Sequence, residues 1–134
     1  MNHWLHKKKK GFTLVEVLIV VAIIAILSAI AIPFIINAKV TANESTAKAT
    51  LKSIASALEN YATINSVYPS ATSLLIGAAP PYLNKDYFTG AHEGYTYTSV
   101  ISDYSYVVTG APTGPNQGHY SYTMSTGGVL AQNP

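Results

Sequence analysis

Hydrophobic and polar positions change rhythm three times along this chain. Residues 17–36 carry no charge, and fourteen of these twenty positions are Val, Leu, Ile or Phe, with Ser28 and Pro33 as interruptions. About 20 apolar residues are what a helix needs to cross a hydrocarbon core. At roughly −0.3 to −0.6 kcal/mol for each large apolar side chain, insertion is favoured by about 4–8 kcal/mol. That outweighs a single carboxylate, Glu16, near the edge, at about 3 kcal/mol or less.

The second rhythm is amphipathic. Ala47, Leu51, Ile54, Leu58 and Tyr61 recur at intervals of 3 and 4, while Lys48, Lys52, Ser53, Ser56 and Glu59 fall elsewhere. Residues 37–64 are therefore expected to continue the helix with one apolar stripe. Pro33 is expected to kink it, because proline removes a backbone donor and clashes with the preceding turn. A helix over residues 12–64 would span roughly 80 Å at 1.5 Å per residue. Such a length suits a helix half buried in an apolar medium and half packed on a head.

The third rhythm is alternation. Tyr68-Pro69-Ser70 punctuates the helix, and a short helical turn at Leu74, Leu75 and Ile76 is closed by Gly77 and Pro80-Pro81. Strands are expected over 94–101, 104–109 and 119–124, with a fourth at 128–130 and a loop at 110–118. Tyr pairs at 95/97, 104/106 and 120/122 would each set both rings on one face of a strand. Sheet stabilisation accounts for these rings, with an exposed contact surface as the rival. The expected fold class is α+β: a long N-terminal helix whose second half lies on a small antiparallel meander. The stripe Leu51, Ile54, Leu58 and Tyr61 would supply the core that a head at 65–134 cannot build alone.

Composition narrows the function. Of 134 residues, 49% are hydrophobic and only 10% charged, far below the roughly one quarter of an average soluble domain. The net charge of +2 comes from the lysine run at 7–10; beyond it, Lys39, Lys48, Lys52 and Lys85 face six acids. A mildly acidic body argues against nucleic acid as the principal partner. Without cysteine there is no disulfide framework or thiolate chemistry. His92, Glu93, Asp103 and His119 permit a metal cluster to be drawn, but they read as surface loop residues. His3 and His6 precede the apolar run. No phosphate-cradling loop is present, so no catalytic residue, metal or cofactor is expected and the chain is not read as an enzyme. The lysine run should remain in the cytoplasm, with everything after the apolar helix on the far side.

An ordinary signal peptide, cleaved after Ala29-Ile30-Ala31, would make this a small secreted binding module. Against it stand the length of the apolar run and the carboxylate at its start. Lys-Lys-Lys-Lys-Gly-Phe-Thr-Leu-Val-Glu at 7–16, followed by the apolar run and Ala31-Ile32-Pro33, resembles the N-terminus of type IV pilins and type II secretion pseudopilins. The resemblance is strong over 7–36, fair to Tyr61 and weak beyond. It implies a leader at 1–11, cleavage between Gly11 and Phe12 by a prepilin peptidase, and N-methylation of Phe12. It implies a helix retained at 12–36, first as an inner-membrane anchor and then as filament core, with Glu16 setting register between copies. It also implies a ladle-shaped homo-oligomer subunit, assembled by an inner-membrane platform with a separate ATPase into an extracellular filament. A major pseudopilin of type II secretion is the alternative. The acidic calcium loop common in those proteins is missing here, since no Asp or Glu follows Asp103.

Overall fold

The computed structural model describes residues 11–134. The lysine run, His3, His6 and the rest of the expected leader before Gly11 lie outside the described residues. The chain divides into two compact units, one ending at Ile35 and the other covering Ile36–Pro134. Helix α1 covers Leu14–Asn65, with Pro33 inside it. Its first part is rich in β-branched Val and Ile, modest helix formers in water. In hydrocarbon the helix is favoured because it satisfies its backbone groups internally. Farther along, hydroxyls return to the backbone four residues earlier: Thr46 Oγ1 donates to the Ala42 carbonyl at 3.0 Å and Thr63 Oγ1 to that of Glu59 at 2.8 Å.

A short helix α2 at Ser73–Ile76 precedes a five-stranded sheet. Its strands are β1 (Ala91–His92), β2 (Tyr95–Ser102), β3 (Ser105–Pro112), β4 (Ser121–Ser125) and β5 (Val129–Asn133). They lie in sequence order, each antiparallel to the next. The fold is α+β, as the alternation implies, with several differences in detail. Strand β1 was not expected. It exists because Glu93 and Gly94 take positive φ, 49° and 78°, the two-residue turn that suits hairpin twist. Strand β3 runs on to Pro112, β4 starts at Ser121 rather than His119, and β5 reaches Asn133.

These boundaries correct the reading of the tyrosine pairs. Tyr95 and Tyr97 are both buried, but Tyr104 stands in the β2–β3 turn at 80% exposure while Tyr106 is buried. Tyr120 likewise precedes β4 and stays exposed, leaving Tyr122 inside. A ring outside the strand escapes its alternation, so two of the three pairs are split.

The core of the second unit lies between α1 and the sheet. Ala47, Leu51, Ile54 and Leu58 are fully buried with Tyr95, Tyr97, Tyr106, Val108, Tyr122 and Met124, and Leu75 and Leu83 close one side. Aromatic edges meet faces at Tyr68–Tyr106, 5.1 Å between centroids, in a favoured geometry. Gly118 is required by this packing, because a Cβ there would collide with the Tyr95 phenol. That phenol is itself pinned, donating to the Tyr120 carbonyl at 2.8 Å.

Candidate assembly site

The start of α1 is built by two side chains. Thr13 Oγ1 accepts the Glu16 backbone N–H at 3.2 Å. In return, the Thr13 backbone N–H and hydroxyl donate to Glu16 Oε2 at 2.8 and 2.9 Å. This reciprocal capping box satisfies donors that the first helical turn would otherwise leave free. It also explains why the helix begins at Leu14 rather than Phe12. The carboxylate sits in the first turn, where the helix dipole favours negative charge. Thr-x-x-Glu before an apolar run is a capping signal in the sequence, and Thr13 is the residue that the expectations for this segment did not include.

Phe12 is 91% exposed and borders one shallow groove of about 410 Å³ with Glu16, Val17, Val20 and Val21. The structure thus brings Phe12, just before α1, and Glu16, in its first turn, to the same groove. Among the described residues, none beyond its chain neighbour comes within 4 Å of where a Cβ on Gly11 would stand. Every Val, Leu, Ile and Phe from Leu14 to Ile35 is at least 52% exposed, so this segment has no interior of its own. It is long and apolar enough to cross a membrane. Pro33 lies near its end, where α1 continues on both sides.

The stripe on the later part of α1 is divided by depth. Leu51, Ile54 and Leu58 are fully buried, whereas Tyr61 is half-buried at the rim, edge-on to Tyr82 at 5.4 Å. Three polar side chains of α1 reach across to the sheet connections. Asn43 Nδ2 donates to the Gln117 carbonyl and to its Oε1, both at 3.0 Å. Glu44 Oε1 accepts the His119 N–H at 2.9 Å and lies 3.8 Å from its Nδ1. Glu59 accepts the Gly127 N–H and the Tyr68 hydroxyl, each at 3.0 Å. Sequence reasoning had no signal for these pairs, which are 68–75 residues apart except for Tyr68. Burial, with Glu44 nearby, pushes the Tyr95 and Tyr122 phenols up to about 12, and burial with Glu59 nearby raises Tyr106.

The residues considered for a metal are dispersed. His92 ends β1 and Glu93 stands in the turn before β2, Asp103 follows the far end of β2, and His119 is held by Glu44. Among the described residues no group of three or more His, Asp or Glu is placed to hold an ion.

Comparison with known proteins completes the site. The pattern of the prokaryotic N-terminal methylation motif matches residues 6–32. The type IV wide pilus major component PilA4 of Thermus thermophilus is 43% identical over 70 residues, 52% of this chain and 53% of that protein. The type II secretion system core protein G of Pseudomonas aeruginosa is 39% identical over 64 residues, 48% of this chain and 45% of its own. The type IV major pilin protein PilA of Myxococcus xanthus is 46% identical over 54 residues, 40% of this chain and 24% of its own. The first half of the chain is thus similar to type IV pilins and to a type II secretion core protein. The chain spans about half the length or less of these curated relatives. No solved structure matches it. The capped Glu16 and most of the bare apolar segment lie within the residues that the motif covers, whereas the sheet lies outside them.

Proposed function

We propose that this chain is a structural subunit of a type IV pilus-like filament, processed by a prepilin peptidase and polymerised through its N-terminal helix. The observation that carries this reading is the apolar segment of α1, exposed on all sides and opening with a carboxylate held by Thr13. Such a surface needs lipid before assembly and other copies of itself afterwards. The lysine run keeps the N-terminus cytoplasmic and places the sheet on the far side of the inner membrane. Cleavage between Gly11 and Phe12 exposes a new amine at Phe12, which is methylated. Glu16 then neutralises the amine of Phe12 on a neighbouring copy or on its own chain. That pairing offsets the desolvation of both groups and sets the axial register. An inner-membrane platform with its own ATPase supplies the work, since the chain has no phosphate-cradling loop.

A second reading, a major pseudopilin of type II secretion, draws on the similarity to core protein G. The absence of any carboxylate side chain from residues 104–134 favours the pilus. The test begins with the mass of the mature N-terminus, which should start at methylated Phe12. A start at Ile32 would identify the product of an ordinary signal peptidase instead. Gly11→Val should leave an uncleaved, membrane-bound precursor and no filaments, because glycine allows the close backbone approach that the peptidase needs. Normal filaments from that variant would refute the assignment.

A further inference from the structure

The sheet has two open edges. On one side β5 pairs only with β4, and among the described residues no backbone hydrogen bond from another segment reaches it. On the other side β1 covers only Tyr95 and Thr96 of β2. Residues 97–102 are left with no strand outside them, and no backbone hydrogen bond from another segment reaches them either. Beside that bare stretch runs a groove of about 440 Å³ between Ser70, Ala71 and Thr72 on one wall and Ser99, Val100 and Ile101 on the other. An exposed edge is a template for strand pairing, and proteins that stay apart guard it with lysine, proline or a bulge. Neither β5 nor residues 97–102 contain a charge or a proline.

Polarity selects the partner. Three successive antiparallel pairings separate β2 from β5, so the two edge strands run in opposite directions. Copies that follow one another with the same orientation, as subunits of a polar filament do, would therefore bring β5 of one antiparallel to β2 of the next. This contact is heterologous and does not close on itself, as continuing assembly requires. The outward face agrees. Val100, Val107, Ser125 and Val129 form one row across the sheet, and each end of the row is an exposed valine, 77% at Val100 and 61% at Val129. Pairing without axial offset sets Val129 beside Val100 of the neighbour, a favourable cross-strand pair.

We propose that the β5 edge of one copy adds to residues 97–102 of a second copy, joining neighbouring heads in a continuous antiparallel sheet. The inference rests on the filament reading above. Because the chain lacks cysteine, Val100→Cys combined with Val129→Cys gives a test without background. Filaments are first confirmed by electron microscopy, then oxidised, and resolved without reductant. The double variant should give a ladder of dimers, trimers and longer species, whereas either single variant should stay monomeric. Thr98→Cys or Ser102→Cys in place of Val100→Cys reads a pairing shifted by two residues. Intact filaments without a ladder in any of these registers would overturn the proposal while leaving the filament reading standing. Dimers from Val129→Cys alone would overturn it in favour of β5 pairing with β5. Should the double variant fail to assemble, hydrogen exchange on the wild-type chain decides. Amides of 97–102 and β5 should exchange about tenfold or more slowly in filaments than in detergent-solubilised subunits. Equal rates would overturn strand pairing, and wild-type cells without any filament would refute both readings.

Discussion

The two units of this chain share one helix and solve opposite problems. Up to Ile35, α1 is apolar on every side and buries nothing within its own chain. From Val40 to Leu58 the same helix buries one stripe against the sheet and leaves Lys52, Ser53 and Ser56 outside. The first part can be satisfied only by its surroundings, and the second satisfies itself. What differs is whether the apolar residues circle the helix or keep to one side of it.

Four substitutions or conditions would break or sharpen this contrast. The largest effect belongs to the buried stripe. Leu58→Asp places an unpaired charge in a fully buried position and should destabilise the second unit by about 4 kcal/mol or more. Limited proteolysis should then degrade residues 36–134 while membrane insertion is unchanged. A protease-resistant variant would show that the stripe is not a core.

Alkali should act on the same unit alone. Tyr95 and Tyr122 are pushed from 10.0 to about 12, chiefly by burial, and Tyr106 is raised as well. Between those values the folded chain keeps protons that the unfolded chain has lost, so the stability contributed is complete below pH 10 and declines as pH rises through 12. The thermal midpoint of the detergent-solubilised chain should be level to pH 10 and then fall. The helicity of the apolar segment should not follow it. A midpoint flat from pH 9 to 12 would contradict the burial of these phenols.

Glu16→Val should do the reverse, leaving the sheet unit as stable as before while filament yield in the sheared fraction drops by about tenfold or more, or ~1.4 kcal/mol. Wild-type yield would leave the apolar helix as an anchor and the charge pairing unsupported. The smallest effect is expected for Thr13→Val, which removes the hydroxyl from the capping box. A loss near 1 kcal/mol corresponds to about fivefold in yield. Thr13→Ser should restore it, since the hydroxyl is kept.

The apolar run, the amphipathic stripe and three of the strands were legible because each is a local periodicity. The basic run, Gly11, Phe12 and Glu16 were legible as one contiguous motif. Thr13 is equally legible, since its spacing of three from Glu16 marks the helix end that the two residues complete. Strand β1 was not, since Ala91 and His92 are too few to show alternation and take their conformation from the positive φ of Glu93 and Gly94.

Sequence alone therefore determined that one helix would carry an apolar surface it cannot cover and that a small β head would follow. Both conclusions depend on residues close together along the chain. Only the tertiary structure decided that Tyr104 and Tyr120 lie outside while Tyr106 and Tyr122 lie inside, since a shift of strand start by one or two residues moves a ring from core to turn. It alone also decided that Asn43, Glu44 and Glu59 hold the sheet connections, and that two uncharged edges of opposite polarity remain open. These depend on contacts between residues far apart in sequence, and such contacts exist only once the helix and the sheet have packed.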